Sequence, residues 1–176
     1  MKYLGIILFS FFLSACNGQT KSDKSSNYTE TIKSQAETMR QLMLKEDFSA
    51  FAKFTYPKVI EMMGGKEKMV EVMKRGSQQM ESEGTKFLNV TIGEPSKIIT
   101  TGSELQCTLP QTIEMKVANG KLITKSTLIA ISTNNGKNWY FLDTSGKNIQ
   151  TMHKILPNLS TELVISDKKE PTFHKD

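Results

Sequence analysis

Three kinds of hydrophobic spacing follow one another along the chain. Leu4 to Leu13 form an almost unbroken apolar run behind Met1-Lys2-Tyr3, and Asn17 to Asn27 (NGQTKSDKSSN) then carry no large apolar side chain. From Tyr28 the residues Ile32, Ala36, Met39, Leu42 and Met43 recur at intervals of three and four, which predicts an amphipathic helix to Lys45. Asp47 is placed to cap a short helix holding Phe48, Phe51, Ala52 and Phe54. Pro57 suits the first turn of another, with Val59, Ile60, Met62 and Met63, which Gly64-Gly65 stops. A further helix is predicted from Lys66 to about Ser82, with Met69, Val72, Met73 and Met80 on its apolar side.

After Gly84 the period changes from 3.6 to 2. Leu88, Val90 and Ile92 alternate with polar neighbours, then Leu105, Cys107 and Leu109, then Ile113, Met115 and Val117. Pro110 cannot donate to a ladder, so it marks an edge or a bulge in this long strand. Asn119-Gly120 reads as a hairpin turn into a strand with Leu122 and Leu128 to Ile131. Asn134-Asn135-Gly136 makes the next turn, and Trp139 to Leu142 the last strand. A short helix is expected from Asn148 to Leu156, ahead of Pro157. The class is α+β: N-terminal helices packed on a strongly bent antiparallel sheet of about four strands.

Helices followed by such a sheet, closed by Gly136-Lys137-Asn138-Trp139-Tyr140-Phe141-Leu142-Asp143, resemble the cone-shaped fold of the nuclear transport factor 2-like superfamily over about residues 30 to 156. The unbroken run of helices fits a cystatin-like layout nearly as well. That superfamily includes ketosteroid isomerase, polyketide cyclases and many non-catalytic binding domains. The resemblance implies a concave sheet and does not select a function.

The N-terminal run is too short to cross a bilayer as a helix, and its positive, apolar, small-residue order is that of a secretory signal. Leu13-Ser14-Ala15-Cys16 resembles the lipobox of bacterial lipoproteins, in which the cysteine is acylated and becomes the mature N-terminus. Ser22-Asp23-Lys24 loosely resembles the charged export signals of Bacteroidetes surface lipoproteins. These resemblances imply a cell-envelope protein held in the membrane, the outer membrane for preference, through acyl chains on Cys16. The expected organisation is a signal peptide over residues 1–15, a flexible tether over 16–27, one α+β domain over 28–166 and a loose tail over 167–176.

Composition changes this picture little. Removing Lys2 with the signal lowers the formal charge from +5 to +4, and no basic stripe with interleaved aromatics argues for nucleic acid. Seven methionines between Met39 and Met80 sit at helical core spacings among Leu, Val and Ile, which favours packing over a soft-metal site. With Cys16 lipidated, Cys107 has no disulfide partner, and its phase with Leu105 and Leu109 makes it a buried thiol. The histidines are His153 and His174, too few for a His-rich metal site, so no metal and no cofactor is expected. Asp143 shares a strand face with Trp139 and Phe141. A carboxylate beside aromatics at a pocket mouth suits a general base, while Asp143-Thr144-Ser145-Gly146 reads more simply as a strand-ending turn.

The expectation is a lipid-anchored binding or accessory module that holds a small apolar ligand or an envelope protein in the sheet concavity, with Trp139, Phe141 and Asp143 as pocket candidates. The alternatives are a small enzyme with Asp143 as base, or a purely structural lipoprotein. Replacing the acceptor thiol, Cys16→Ser, is expected to move the protein from the membrane fraction to the soluble one. Unchanged partitioning on cell fractionation refutes the anchor.

Overall fold

A computed structural model describes the backbone of residues 20–176 and the side chains from Ser26 onward. The expected signal segment, Cys16 and the first residues of the expected tether lie outside this range. The helices are α1 (Thr20–Leu44), α2 (Phe48–Phe51), α3 (Pro57–Met62), α4 (Lys66–Ser82) and α5 (Ile149–Ile155). The strands are β1 (Lys86–Ile92), β2 (Ile99–Thr101), β3 (Glu104–Val117), β4 (Gly120–Ser132), β5 (Tyr140–Asp143) and β6 (Thr172–Lys175). All pair antiparallel in one strongly curled sheet of central order β1-β3-β4-β5, with β2 added to β3 and β6 to β4. The α+β class and the bent sheet therefore stand as expected, and the fold is compatible with a cone. Among the described residues, no helix is long and apolar enough to cross a membrane.

Local signals explain most boundaries. The Asp47 carboxylate accepts the Ala50 N–H at 3.0 Å to start α2, and Pro57 opens α3. Asn148 accepts the Thr151 N–H at 2.9 Å to start α5. Pro110 sits where β1 has ended and β2 has not begun to pair. Its carbonyl takes the Gly93 N–H at 2.8 Å, so its missing donor faces a gap in the ladder.

The sheet's middle is buried on both faces. On one face Ile32, Ala36 and Met39 of α1 pack against Cys107, Leu109, Leu128, Ala130, Trp139 and Phe141. On the other, Met152, Leu156, Leu159 and Leu163 from α5 and the segment after it cover Ile129, Ile131 and Tyr56. The long β3–β4 hairpin runs beyond this double-covered zone, through Ile113, Met115, Leu122 and Ile123, which are only half-buried.

Three expectations change. Residues 20–27 are not a loose tether, because α1 already starts at Thr20. That stretch has no Gly or Pro after Gly18, and a helix docked by Ile32 propagates backwards at little cost. The 167–176 tail is not wholly loose, since Thr172 to Lys175 pair with Gly120 to Ile123 of β4. Backbone pairing needs no hydrophobic pattern, so the charged composition concealed it. On α4 only Met69 is buried and Val72 is 42% exposed, so that helix lies on the surface with a narrow contact.

Trp139 ties these layers together. It is 1% exposed, its indole N–H donates to the Gly136 carbonyl at 3.1 Å, and its backbone N–H donates to Gln35 of α1 at 2.7 Å. The Tyr28 ring stands edge-on to it at 6.4 Å. Gly136, at φ +76°, lies so close to Tyr28 that a Cβ there would strike its ring. Trp139→Ala is expected to lower unfolding free energy by about 3–5 kcal/mol in urea denaturation. A loss within experimental error would mean that α1 does not depend on this anchor.

Candidate functional site

The three pocket candidates separate by environment. Trp139 and Phe141 point into the packed layer beneath α1, where helix side chains fill the space a ligand would need. Asp143 lies on the same face, opposite Leu128, but at the exposed end of β5. One carboxylate oxygen accepts the Ser145 N–H at 2.7 Å, which closes the strand-ending turn. The other takes the Gln111 amide at 3.2 Å and the Ser126 hydroxyl at 3.4 Å. The carboxylate's acceptor positions are thus engaged in holding the turn and two neighbouring strands together. Nothing encloses it against water, which is what a general base in an apolar pocket requires.

Cys107 is fully buried opposite Ala130. Burial pushes its thiol pKa up to about 12, so it stays protonated and unreactive at neutral pH. His153 is half-buried on α5 and lines, with Ile149, Gln150 and Thr161, an open cleft of about 260 Å³. Among the described residues, no cluster of three or more His, Cys, Asp or Glu has the arrangement to hold a metal ion.

Two features escaped the sequence reading. The first is a polar network on the α5 side. The Tyr56 hydroxyl donates to Glu104 at 2.8 Å, and the Asn158 amide donates to Tyr56 at 3.0 Å and to Glu104 at 2.7 Å. Gln106, fully buried, donates to Glu104 at 2.9 Å and to the Asn158 carbonyl at 3.0 Å, and accepts the Ser160 N–H at 2.8 Å. Burial first, and the Glu104 hydrogen bond second, raise the Tyr56 pKa. This network fastens the segment after α5 to the sheet. Its only sequence signal was a glutamine inside an apolar strand, with nothing to say what would cover it.

The second feature is an uncovered stretch of sheet. The register places Phe87, Met115, Leu122 and Phe173 in one row across β1, β3, β4 and β6, on the same face as α1. The first three are half-buried and Phe173 is 53% exposed. The neighbouring row, on the opposite face, is Lys86, Lys116, Lys121 and His174. The hairpin's outer end is therefore apolar on one face and basic on the other. An open cleft of about 630 Å³ lies at its tip, lined by Ala118, Asn119, Phe173, Lys175 and Asp176. No known protein-family model matches the chain, and no curated protein matches it.

The Cys107 environment has a pH consequence. Its folded pKa is raised, so the buried neutral thiol contributes its full stability below the unfolded pKa near 9 and loses it as pH rises toward about 12. Tyr56 acts in the same direction. Thermal melts from pH 8.5 upward should show a falling Tm whose slope is reduced in Cys107→Ala. A native thiol that reacts promptly with a disulfide reagent at pH 8, or an unchanged slope, contradicts this account.

Proposed function

We propose that the protein is a lipid-anchored binding or accessory module of the cell envelope, and that the stretch of sheet beyond α1 takes a small apolar ligand or the apolar surface of a partner protein. The observation that carries this reading is the half-exposed row Phe87, Met115, Leu122 and Phe173, next to a sheet whose middle is otherwise covered on both faces. Contiguous exposed apolar surface of this kind is retained when something binds to it. The site thus lies along the hairpin from Trp139 and Phe141, where α1 already supplies the apolar partner.

The anchor rests on Leu13-Ser14-Ala15-Cys16 and its resemblance to a lipobox. Several acyl chains on one cysteine hold firmly, at about 0.8 kcal/mol per buried methylene. The resemblance to nuclear transport factor 2-like and cystatin-like domains supports a binding role, because bent sheets of that kind serve many non-catalytic modules. Under this reading the membrane contact is the lipid, the domain acts beside the outer membrane, and the recognition is apolar.

The full chain, labelled at its methionine methyl groups, tests the site directly. Titrated with the apolar dye 8-anilinonaphthalene-1-sulfonate, the Met115 methyl resonance is expected to shift while those of buried Met39 and Met69 stay in place. Shifts confined to other methionines, or none at all, overturn the site.

A further inference from the structure

The outer edge of β4 is unevenly covered. β5 pairs with its second half, Leu128 to Ile131, and β6 pairs with its first four residues, Gly120 to Ile123. Thr172 to Lys175 are all exposed, and so are residues 166 to 171 leading to them, with Pro171 immediately before the strand. The β6 strand contributes no buried side chain, so backbone pairing is its principal hold. Gly120, at φ +153°, permits the approach: a Cβ there would collide with the His174 carbonyl.

The tail is also mismatched to the strand it covers. Lys121 lies directly opposite His174, in the cross-strand row that continues to Lys116 and Lys86. Glu114 balances Lys121 at 2.9 Å, but Lys86 and Lys116 have no ion pair among the described residues. An imidazole, neutral or protonated, brings that row no counter-charge, and like charges directly opposite one another destabilise a sheet. On the other face the match is good, because Phe173 lies opposite Leu122, whose own partner on β3 is Met115.

We infer that the Gly120–Ile123 edge of β4 is a strand-addition site, that the C-terminal tail occupies it as a tethered and weakly held substitute, and that its partner is an extended peptide segment carrying a large apolar residue followed by an acidic one. The apolar residue replaces Phe173 opposite Leu122 and extends the apolar row that runs on to Met115. The acidic residue replaces His174 opposite Lys121 and adds a negative charge at the end of a row that carries three lysines against Glu114. Main-chain bonds then give the affinity, and the alternating side chains give the choice of partner. This rests on the binding-module reading and names the kind of partner that module takes.

Two synthetic peptides test it against the full chain: Glu-Pro-Thr-Phe-Glu-Lys, and the tail's own sequence Glu-Pro-Thr-Phe-His-Lys. By amide exchange and NMR, the glutamate peptide is expected to free the amides of Thr172 to Lys175 while those of Gly120 to Ile123 stay protected. It should bind about threefold or more tighter than the histidine peptide, the scale of one cross-strand charge pair. Lys121→Glu should remove or reverse that preference, and Gly120→Val should abolish binding of both. Tail amides that stay protected, equal affinities, or a dimer formed by exchange of tails between copies each overturn the proposal. If the dye still shifts Met115 while neither peptide binds, the strand-addition site fails and the module reading stands. If both experiments fail, both fall.

Discussion

Six consecutive residues of β4, Thr127 to Ser132, are buried, and this two-sided burial organises the molecule. Antiparallel strands commonly keep one face in water, so a strand without an outward face needs a layer on each side. α1 supplies the first through Ile32, Ala36 and Met39, and α5 with the segment after it supplies the second through Met152, Leu156, Leu159 and Leu163. Removing either layer would expose Leu128 and Ala130, or Ile129 and Ile131, at roughly 25 cal/mol per Å² of apolar surface. The N-terminal and C-terminal parts of the domain are thus held to each other through one strand.

The same burial makes the polar groups of the sheet expensive. Gln106, Thr108, Gln111, Thr127 and Ser132 are all buried, and each amide or hydroxyl left unpaired there costs on the order of 1–3 kcal/mol. Gln106 and Thr127 are paired across layers, and Thr108, Gln111 and Ser132 within the sheet and its connecting turns. Gln106 bonds to Asn158 and Ser160, the Thr127 hydroxyl takes the Ser166 N–H at 3.2 Å, and Gln111 reaches Asp143. Asp143 belongs to this economy as a turn cap and inter-strand acceptor. Among the described residues, the buried side-chain oxygens without a hydrogen-bond partner are the Thr144 hydroxyl and the Asn158 amide oxygen, both at the margin of the second layer. Side-chain bonds of this kind give the α5 side a fixed register that apolar packing alone would not impose.

What could be read from the residues follows from where each signal resides. The α1 stripe and the β1, β3 and β4 alternations are local periodicities, so their elements were legible. The Ala118–Asn119 connection fell within one residue of the expected turn. The second layer was not legible, because Leu156, Leu159 and Leu163 lie in an irregular segment that carries no period. Alternation in β3 singled out Leu105, Cys107 and Leu109, and hid the fact that Gln106 and Thr108 are buried as well. Trp139 and Phe141 were recognisable as an aromatic pair. Whether they line a pocket or fill a core depends on where α1 lies, which no strand-level pattern encodes. β6 was illegible for a different reason: its four side chains are all exposed, and only the pairing of its backbone with β4 makes it a strand.

The outer half of the hairpin inverts the logic of the inner half. From Thr127 to Ile131 the side chains meet partners from another layer, whereas at Met115 and Leu122 the cross-strand neighbours come from the sheet itself and, at Leu122, from one residue of the tail. Long flat edges with apolar residues invite uncontrolled pairing, and proteins blunt them with lysines, bulges and short covering strands. All three devices occur at this end: the lysine row, the register shift between Phe87 and Asn89, and β6. Gly120 serves the hairpin turn and lets a strand approach this edge closely, while protection alone does not require a phenylalanine set on the apolar row. Together they shape the edge to accept a strand with an apolar residue at that position. A weakly held cover over a shaped edge is the arrangement expected where occupancy by a partner has to remain possible.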